Sequence, residues 1–159
     1  MKLALYPGTF DPFTFGHLDI LERAVALFDR VEVTVAVNAE KETVFPIEER
    51  CELIRQCIRH LTGVEVVAHE GLIADRARET GATVLIRGLR QSRDFDYELP
   101  MALANRALQE DLETVFLPAS GRHALVSGTL VRDILRWNGD VSAFVPEPVL
   151  NALVRRTRP

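Results

Sequence analysis

The segment YPGTFDPFTFGH, Tyr6 to His17, gathers residue types that can handle a phosphate group. Gly8 lets the backbone turn tightly after an apolar run, and Thr9 sets a hydroxyl beside backbone N–H groups. Thr14-Phe15-Gly16-His17 then leads into a helical pattern. A helix N-terminus carries unpaired N–H groups and a positive dipole end, which suits an anion. Gly16 permits close backbone approach, and His17 can donate a hydrogen bond to a phosphoryl oxygen. Neither the phosphate-loop Gly-Lys-Ser/Thr pattern nor the dinucleotide GxGxxG pattern occurs. Taken alone, the tetrapeptide reads equally well as a tight turn with a helix-capping histidine.

Other chemistry-bearing residues are scattered. Lys41 lies in AEKE, a run that by itself reads as a solvated turn. Arg87 and Arg90 frame Gly88 at the end of an apolar run, where cations either bind or face solvent. Cys51 and Cys57 fall on an apolar helical stripe and read as core thiols. His60 and His69 read as surface residues, and Arg155, Arg156 and Arg158 as a solvated basic tail.

The elements that must position these residues alternate. Strands are predicted at Lys2 to Tyr6, Val31 to Val37, Val64 to Ala68, Thr83 to Ile86 and Thr114 to Leu117. Helices are predicted at His17 to Phe28, Pro46 to Leu61, Leu72 to Glu79, Asp96 to Gln109, Leu130 to Trp137 and about Pro148 to Arg155. Pro100 must start, kink or break its helix, and Ser127 looks like an N-cap. Such alternation implies an α/β fold: a five-stranded parallel sheet with helices on both faces. Ligands of these sheets sit beyond the carboxyl ends of the strands, so the loops to search follow Tyr6, Val37, Ala68, Ile86 and Leu117.

Composition narrows the classes. The 159 residues are 47% hydrophobic, and no linker or repeat divides them, so residues 1–159 read as a single domain. The net charge of −4 argues against a binder of DNA or RNA polymers. No apolar run approaches the roughly 18 residues of a membrane span, and no signal-peptide pattern opens the chain. Two cysteines do not make a disulfide scaffold, so a reduced, cytoplasmic setting is expected.

The segment YPGTFDPFTFGH resembles the signature loop of the nucleotidyltransferases with a T/H-x-G-H motif. Within them the chain is most similar to the phosphopantetheine adenylyltransferase family of coenzyme A synthesis. FPIEER (Phe45 to Arg50), LIRGLR (Leu85 to Arg90) with DFDYEL (Asp94 to Leu99), and VSGTLVRD (Val126 to Asp133) match it in order and spacing. The resemblance implies a Rossmann-like fold and reversible adenylyl transfer from ATP to 4′-phosphopantetheine, with dephospho-coenzyme A and pyrophosphate as products. The substrate phosphate is the nucleophile, with no covalent enzyme intermediate.

By the same resemblance, His17, Lys41 and Arg87 are the catalytic set. Thr9, Lys41, Ile73 and Arg87 contact phosphopantetheine. Thr9, Phe10, His17, Gly88, Leu89, Arg90, Glu98 and the run His123, Ala124, Leu125, Val126, Ser127, Gly128, Thr129 contact ATP. Mg²⁺ is implied with ATP, without protein ligands, as are a homohexamer and feedback inhibition by coenzyme A. VSGT stands where the family more usually reads close to ISSS, so Gly128 lacks a hydroxyl, and Leu125 replaces a common aromatic. Two other readings remain open at this level: a relative with a different phosphate acceptor, and a non-catalytic nucleotide or coenzyme A sensor.

Overall fold

The computed structural model describes residues 2–37 and 43–157. Its elements run β1 (Leu3–Gly8), α1 (Phe15–Val25), β2 (Arg30–Ala36), α2 (Ile47–Cys57), β3 (Val64–His69), α3 (Ile73–Thr80), β4 (Val84–Leu89), α4 (Ser92–Leu108), β5 (Glu113–Pro118), a 3₁₀ turn (Gly121–His123), α5 (Gly128–Arg136) and α6 (Glu147–Thr157). The five strands form one parallel sheet in the order β3-β2-β1-β4-β5. The strand order reverses between β1 and β4, and that switch point opens a crevice at the carboxyl ends.

Side chains on successive strand residues point to opposite faces. On β1, Ala4 and Tyr6 join the large core cluster with Leu21 of α1, Ile54 of α2, Val131 of α5 and Leu153 of α6. Leu5 turns the other way, into a smaller cluster with Ala74 and Ala77 of α3 and Leu85 of β4. β2 repeats the rule: Val31, Val33 and Val35 enter the large cluster, while Glu32 and Thr34 face the α3 side. Glu32 is buried there because Arg76 grips both its oxygens, at 3.0 and 2.7 Å, and the Thr34 hydroxyl donates to it at 2.9 Å. A buried carboxylate needs such partners, or the desolvation penalty would expel it.

The expected elements are all present, with shifted ends. β1 and β4 run two and three residues past the expected Tyr6 and Ile86, which brings Gly8 and Leu89 to the strand tips. α2 stops at Cys57, short of the expected Leu61, with Ile58 as its C-cap. α4 begins at Ser92 rather than Asp96 and runs through Pro100. Its early start has a local cause: the Asp94 carboxylate accepts the Arg90 N–H at 2.8 Å and closes the first turn. α5 starts at Gly128 with Ser127 as N-cap, its hydroxyl oxygen accepting the Leu130 N–H at 3.0 Å. Both cysteines are buried core residues, and burial pushes the Cys57 thiol up to about 12.

Candidate active site

A cleft of about 400 Å³ lies over the carboxyl ends of β1, β4 and β5, at the switch point. Three segments build it: the loop after β1, the end of β4 with the start of α4, and the N-terminus of α5.

The loop after β1 is held from several sides. Phe10 sits at φ 50°, a left-handed conformation that costs a non-glycine residue about 1–2 kcal/mol. Its ring is buried against Tyr6, Phe13 and His17, with centroids 5.2, 5.8 and 5.1 Å away. Gly8 makes room for that ring, since a Cβ at Gly8 would lie 2.8 Å from the Phe10 Cζ. The buried Asp11 carboxylate accepts the N–H groups of Val44 and Phe45 at 2.7 and 3.0 Å.

His17 is both the helix cap and a wall of the cleft. It is the third residue of α1, and its Nδ1 accepts the N–H of the N-cap Thr14 at 3.1 Å. The Thr14 hydroxyl accepts the His17 N–H in return, at 3.3 Å. This capping box fixes the tautomer, because a neutral ring that accepts at Nδ1 carries its proton on Nε2. Burial, then the charges of Arg90 and Arg87, push the His17 pKa down from 6.5 to about 3. Burial and the two guanidinium charges therefore favour the neutral imidazole, with its proton on Nε2. The helix-cap reading of His17 holds, and the capping leaves Nε2–H as the ring's donor.

Two arginine–carboxylate pairs form the opposite wall. Arg87 donates through Nε to Glu98 at 2.7 Å and through Nη2 to its other oxygen, and Nη1 donates to the Pro7 carbonyl. Burial opposes the Arg87 charge, but the fork onto Glu98 outweighs it and raises its pKa. Arg90 reaches both oxygens of Asp94, at 3.1 and 3.2 Å. Burial raises the Asp94 carboxyl, yet the Arg90 N–H, the Arg90 guanidinium and the Gln91 N–H together hold it below the usual range.

The third wall is a helix start. The first hydrogen bond of α5 runs from the Val131 N–H to Ser127 O, and the Leu130 N–H is capped by Ser127. Among the described residues the N–H groups of Gly128 and Thr129 are thus orphans of the kind that bind anions. Gly128 lies so close to the first loop that a Cβ would sit 3.3 Å from Asp11 O and 3.3 Å from Arg132 Nη1. Arg132 ties the two segments, donating to Asp11 O at 2.5 Å and to the Thr129 hydroxyl at 3.1 Å.

Of the residues singled out in the sequence, Thr9, Phe10, His17, Arg87, Gly88, Arg90, Glu98, Val126, Ser127, Gly128 and Thr129 all line this one cleft. Leu89 sits half-buried at the β4 tip, outside the lining, and its carbonyl accepts the Ala119 N–H at 2.7 Å. His123 stacks on Phe15 with centroids 6.1 Å apart, beside Ala124. Leu125 is 83% exposed. Ile73 packs against the α3 core cluster, away from the cleft lining. Lys41 lies outside the described residues. His60 pairs with Glu22 on the surface, and the His69 Nε2 contacts Leu72 O.

Sequence reasoning passed over Asp11, Arg93, Asp94, Tyr97 and Arg132, which also line the cleft. Their signal was there in part: Asp94 and Tyr97 belong to DFDYEL, and Arg132 to VSGTLVRD. Among the described residues no cluster of three acidic, His or Cys side chains could hold a metal ion. The carboxylates nearest the cleft are engaged: Glu98 by Arg87, Asp94 by Arg90, and Asp11 by backbone N–H groups. Also among the described residues, no helix is long and apolar enough to cross a membrane.

Comparison with known proteins gives this geometry its family. Residues 5–134 match the model of the cytidylyltransferase-like family. The chain is 47% identical over 158 residues to a phosphopantetheine adenylyltransferase of Actinobacillus succinogenes, covering 99% of this chain and 98% of that one. It is 46% identical over 154 residues to the enzyme of that name from Psychromonas ingrahamii, with coverage of 97% and 96%. The fold matches a crystal structure from Vibrio parahaemolyticus, described as a nicotinate-nucleotide adenylyltransferase, with a TM-score of 0.72 at 19% identity, over 98% of this chain and 93% of that one. A parallel sheet with this crevice, and near full-length identity to enzymes of one name, establish that the chain belongs to the phosphopantetheine adenylyltransferase family of nucleotidyltransferases.

Proposed function

We propose that the protein transfers the adenylyl group of ATP to 4′-phosphopantetheine, reversibly, giving dephospho-coenzyme A and pyrophosphate. The observation that carries this reading is the neutral His17 ring, with Nδ1 engaged by Thr14 N–H, facing a cleft shared with Arg87, Arg90 and the α5 N-terminus. Among the described residues, such a cleft offers fixed donors and cations but no activated nucleophile. That is what direct in-line attack by a substrate phosphate requires, since position and charge stabilisation then do the catalysis.

In this reading Arg87 and Thr9, with Lys41, hold the phosphate of phosphopantetheine, and Ile73, outside the cleft lining, is kept only as a contact for its pantetheine arm. Gly88, Leu89 and Arg90, with the loop His123 to Thr129, take the nucleotide. His17 Nε2–H and the Phe10 N–H donate to the α-phosphate oxygens as charge gathers there. One such donor contributes about 3 kcal/mol to the barrier. Pyrophosphate departs from the orphan N–H groups of Gly128 and Thr129.

Mg²⁺ fits this donor set as a companion of ATP rather than as a ligand of the chain. The nearby carboxylates are already engaged by arginines and backbone N–H groups. Bound to the triphosphate, the ion would neutralise part of its charge.

We assign the reaction to the cytoplasm and include coenzyme A as a feedback inhibitor competing with phosphopantetheine. A homohexamer is part of the proposal. It is supported by α4, where Tyr97, Met101 and Leu103 are 72%, 51% and 60% exposed. The deciding experiment is pyrophosphate release with ATP, Mg²⁺ and 4′-phosphopantetheine. Turnover with that pair is the expected result; turnover only with another phosphate acceptor, or nucleotide binding without turnover, overturns the proposal.

A further inference from the structure

Arg50 lies in FPIEER and is buried at 4% exposure, behind the cleft wall rather than in it. Among the described residues no carboxylate stands within ion-pair distance of it. Its guanidinium instead donates to three backbone carbonyls: Nη1 to Thr9 O at 2.7 Å, Nη1 to Ala36 O at 3.3 Å, and Nε to Phe45 O at 3.1 Å. A buried cation held only by carbonyls is costly to keep. Its three contacts join the β1 loop, the end of β2 and the approach to α2.

The Thr9 contact has a direct stereochemical consequence. In a trans peptide the C=O and the next N–H point in opposite directions. Drawing Thr9 O inward to Arg50 therefore turns the Phe10 N–H the other way, toward the cleft that Thr9 and Phe10 line. Among the described residues that N–H has no acceptor, although Phe10 is only 3% exposed. The left-handed φ of 50° at Phe10 shows that the loop does not adopt this turn for its own conformational ease. Asp11 fastens the other side of the same turn through Val44 and Phe45.

We propose that Arg50 is a positioning residue of the reaction: by holding the Thr9 carbonyl it aims the Phe10 N–H at the phosphate being transferred. The inference rests on the adenylyl-transfer reading for the identity of that phosphate. The aiming itself is a property of the loop, and it is tested separately.

The test uses the full-length protein with Arg50→Lys and Arg50→Gln. Lysine keeps the charge but cannot reach three carbonyls in the arginine's planar fork, and glutamine removes the charge. Two readouts are needed: steady-state constants for pyrophosphate release, and the backbone amide resonance of Phe10 titrated with ATP and with inorganic pyrophosphate. The expected result is a Phe10 amide that shifts on ATP addition in the parent protein and not in Arg50→Lys, with kcat lowered about thirtyfold or more and both KM values within threefold. Arg50→Lys is the variant expected to stay folded, so a poorly folded Arg50→Gln leaves the test standing. A kcat in Arg50→Lys within threefold of the parent, or an unchanged Phe10 response, overturns the proposal. If the parent protein releases no pyrophosphate but its Phe10 amide answers ATP only when Arg50 is present, the adenylyl-transfer reading fails and the positioning role stands.

Discussion

Glu98 on α4 grips Arg87 on β4 with both carboxylate oxygens, and the Pro7 carbonyl takes the third direction of the same guanidinium. Arginine has five N–H donors, so this arrangement engages three and leaves one on Nη1 and one on Nη2 for an anion. The cation is thus aimed as well as charged. The pair also fastens α4 to the tip of β4, so that the helix start carrying Asp94 and Tyr97 stands at a fixed distance from the loop after β1.

Glu98→Gln is expected to raise the KM for 4′-phosphopantetheine about tenfold, the loss of roughly 1.5 kcal/mol for one charge-assisted hydrogen bond. The KM for ATP should stay within threefold. Steady-state kinetics with each substrate varied in turn checks this. If the ATP constant moves instead, Glu98 contacts the nucleotide itself, as the family resemblance implies, rather than acting through Arg87.

His17→Ala should lower kcat about 100-fold or more, with smaller changes in both KM values, because the lost donor acts on charge that develops only in the transition state. The neutral state of His17 adds a pH signature. An unfolded chain takes up a proton on this residue near pH 6.5, while the folded protein resists until about pH 3. The stability tied to the neutral ring is present above pH 6.5 and is lost progressively as pH falls below it. Melting temperatures at pH 7.5 and 5.0 should therefore drop less in His17→Ala than in the parent protein. An equal drop in both would mean that His17 titrates normally.

Helix α4 presents an apolar surface that the single chain leaves uncovered, and Tyr97 belongs at once to that surface and to the cleft lining. Exposed apolar area of this extent marks an interaction site more often than a solvated face. Leu103→Glu should shift the sedimentation coefficient to a smaller species while leaving the melting of the isolated fold nearly unchanged. A parent protein that already sediments as a monomer would remove the hexamer from the proposal.

The sheet was legible in the sequence because strand and helix periods differ, and the alternation of Val31 to Val37 survives even with a buried Glu32 on its other face. The cleft was legible because many of its lining residues sit at strand ends and helix starts, where local pattern and topology agree. The roles of Arg50 and Arg132 were not legible, although FPIEER and VSGTLVRD contain the two residues. Each works by donating to a backbone carbonyl of a distant segment, 41 and 121 residues away, and a carbonyl leaves no mark on the sequence. The start of α4 was missed for a similar reason, since Asp94 closes the turn through a backbone N–H rather than through an apolar repeat. The tautomer of His17 likewise depends on a backbone donor, the Thr14 N–H on Nδ1, that the sequence does not mark.

Gly128 offers the sharpest test of how closely the α5 N-terminus is fitted to the loop after β1. A serine there would add the hydroxyl more usual for the family, and a simple count of donors says that ATP should bind more tightly. Geometry says the reverse. The new Cβ would stand 3.3 Å from both Asp11 O and Arg132 Nη1, closer than side-chain carbons ordinarily approach. Arg132 can swing, but Asp11 O is fixed, because the Asp11 side chain is bound to Val44 and Phe45. The helix start must then yield by a few tenths of an ångström, and its orphan N–H groups move with it. Gly128→Ser should raise the KM for ATP about threefold, a loss near 0.7 kcal/mol, while the KM for phosphopantetheine stays level. Tighter ATP binding in the variant would mean that the hydroxyl outweighs the displacement, and that the loop after β1 is softer than its hydrogen bonds indicate.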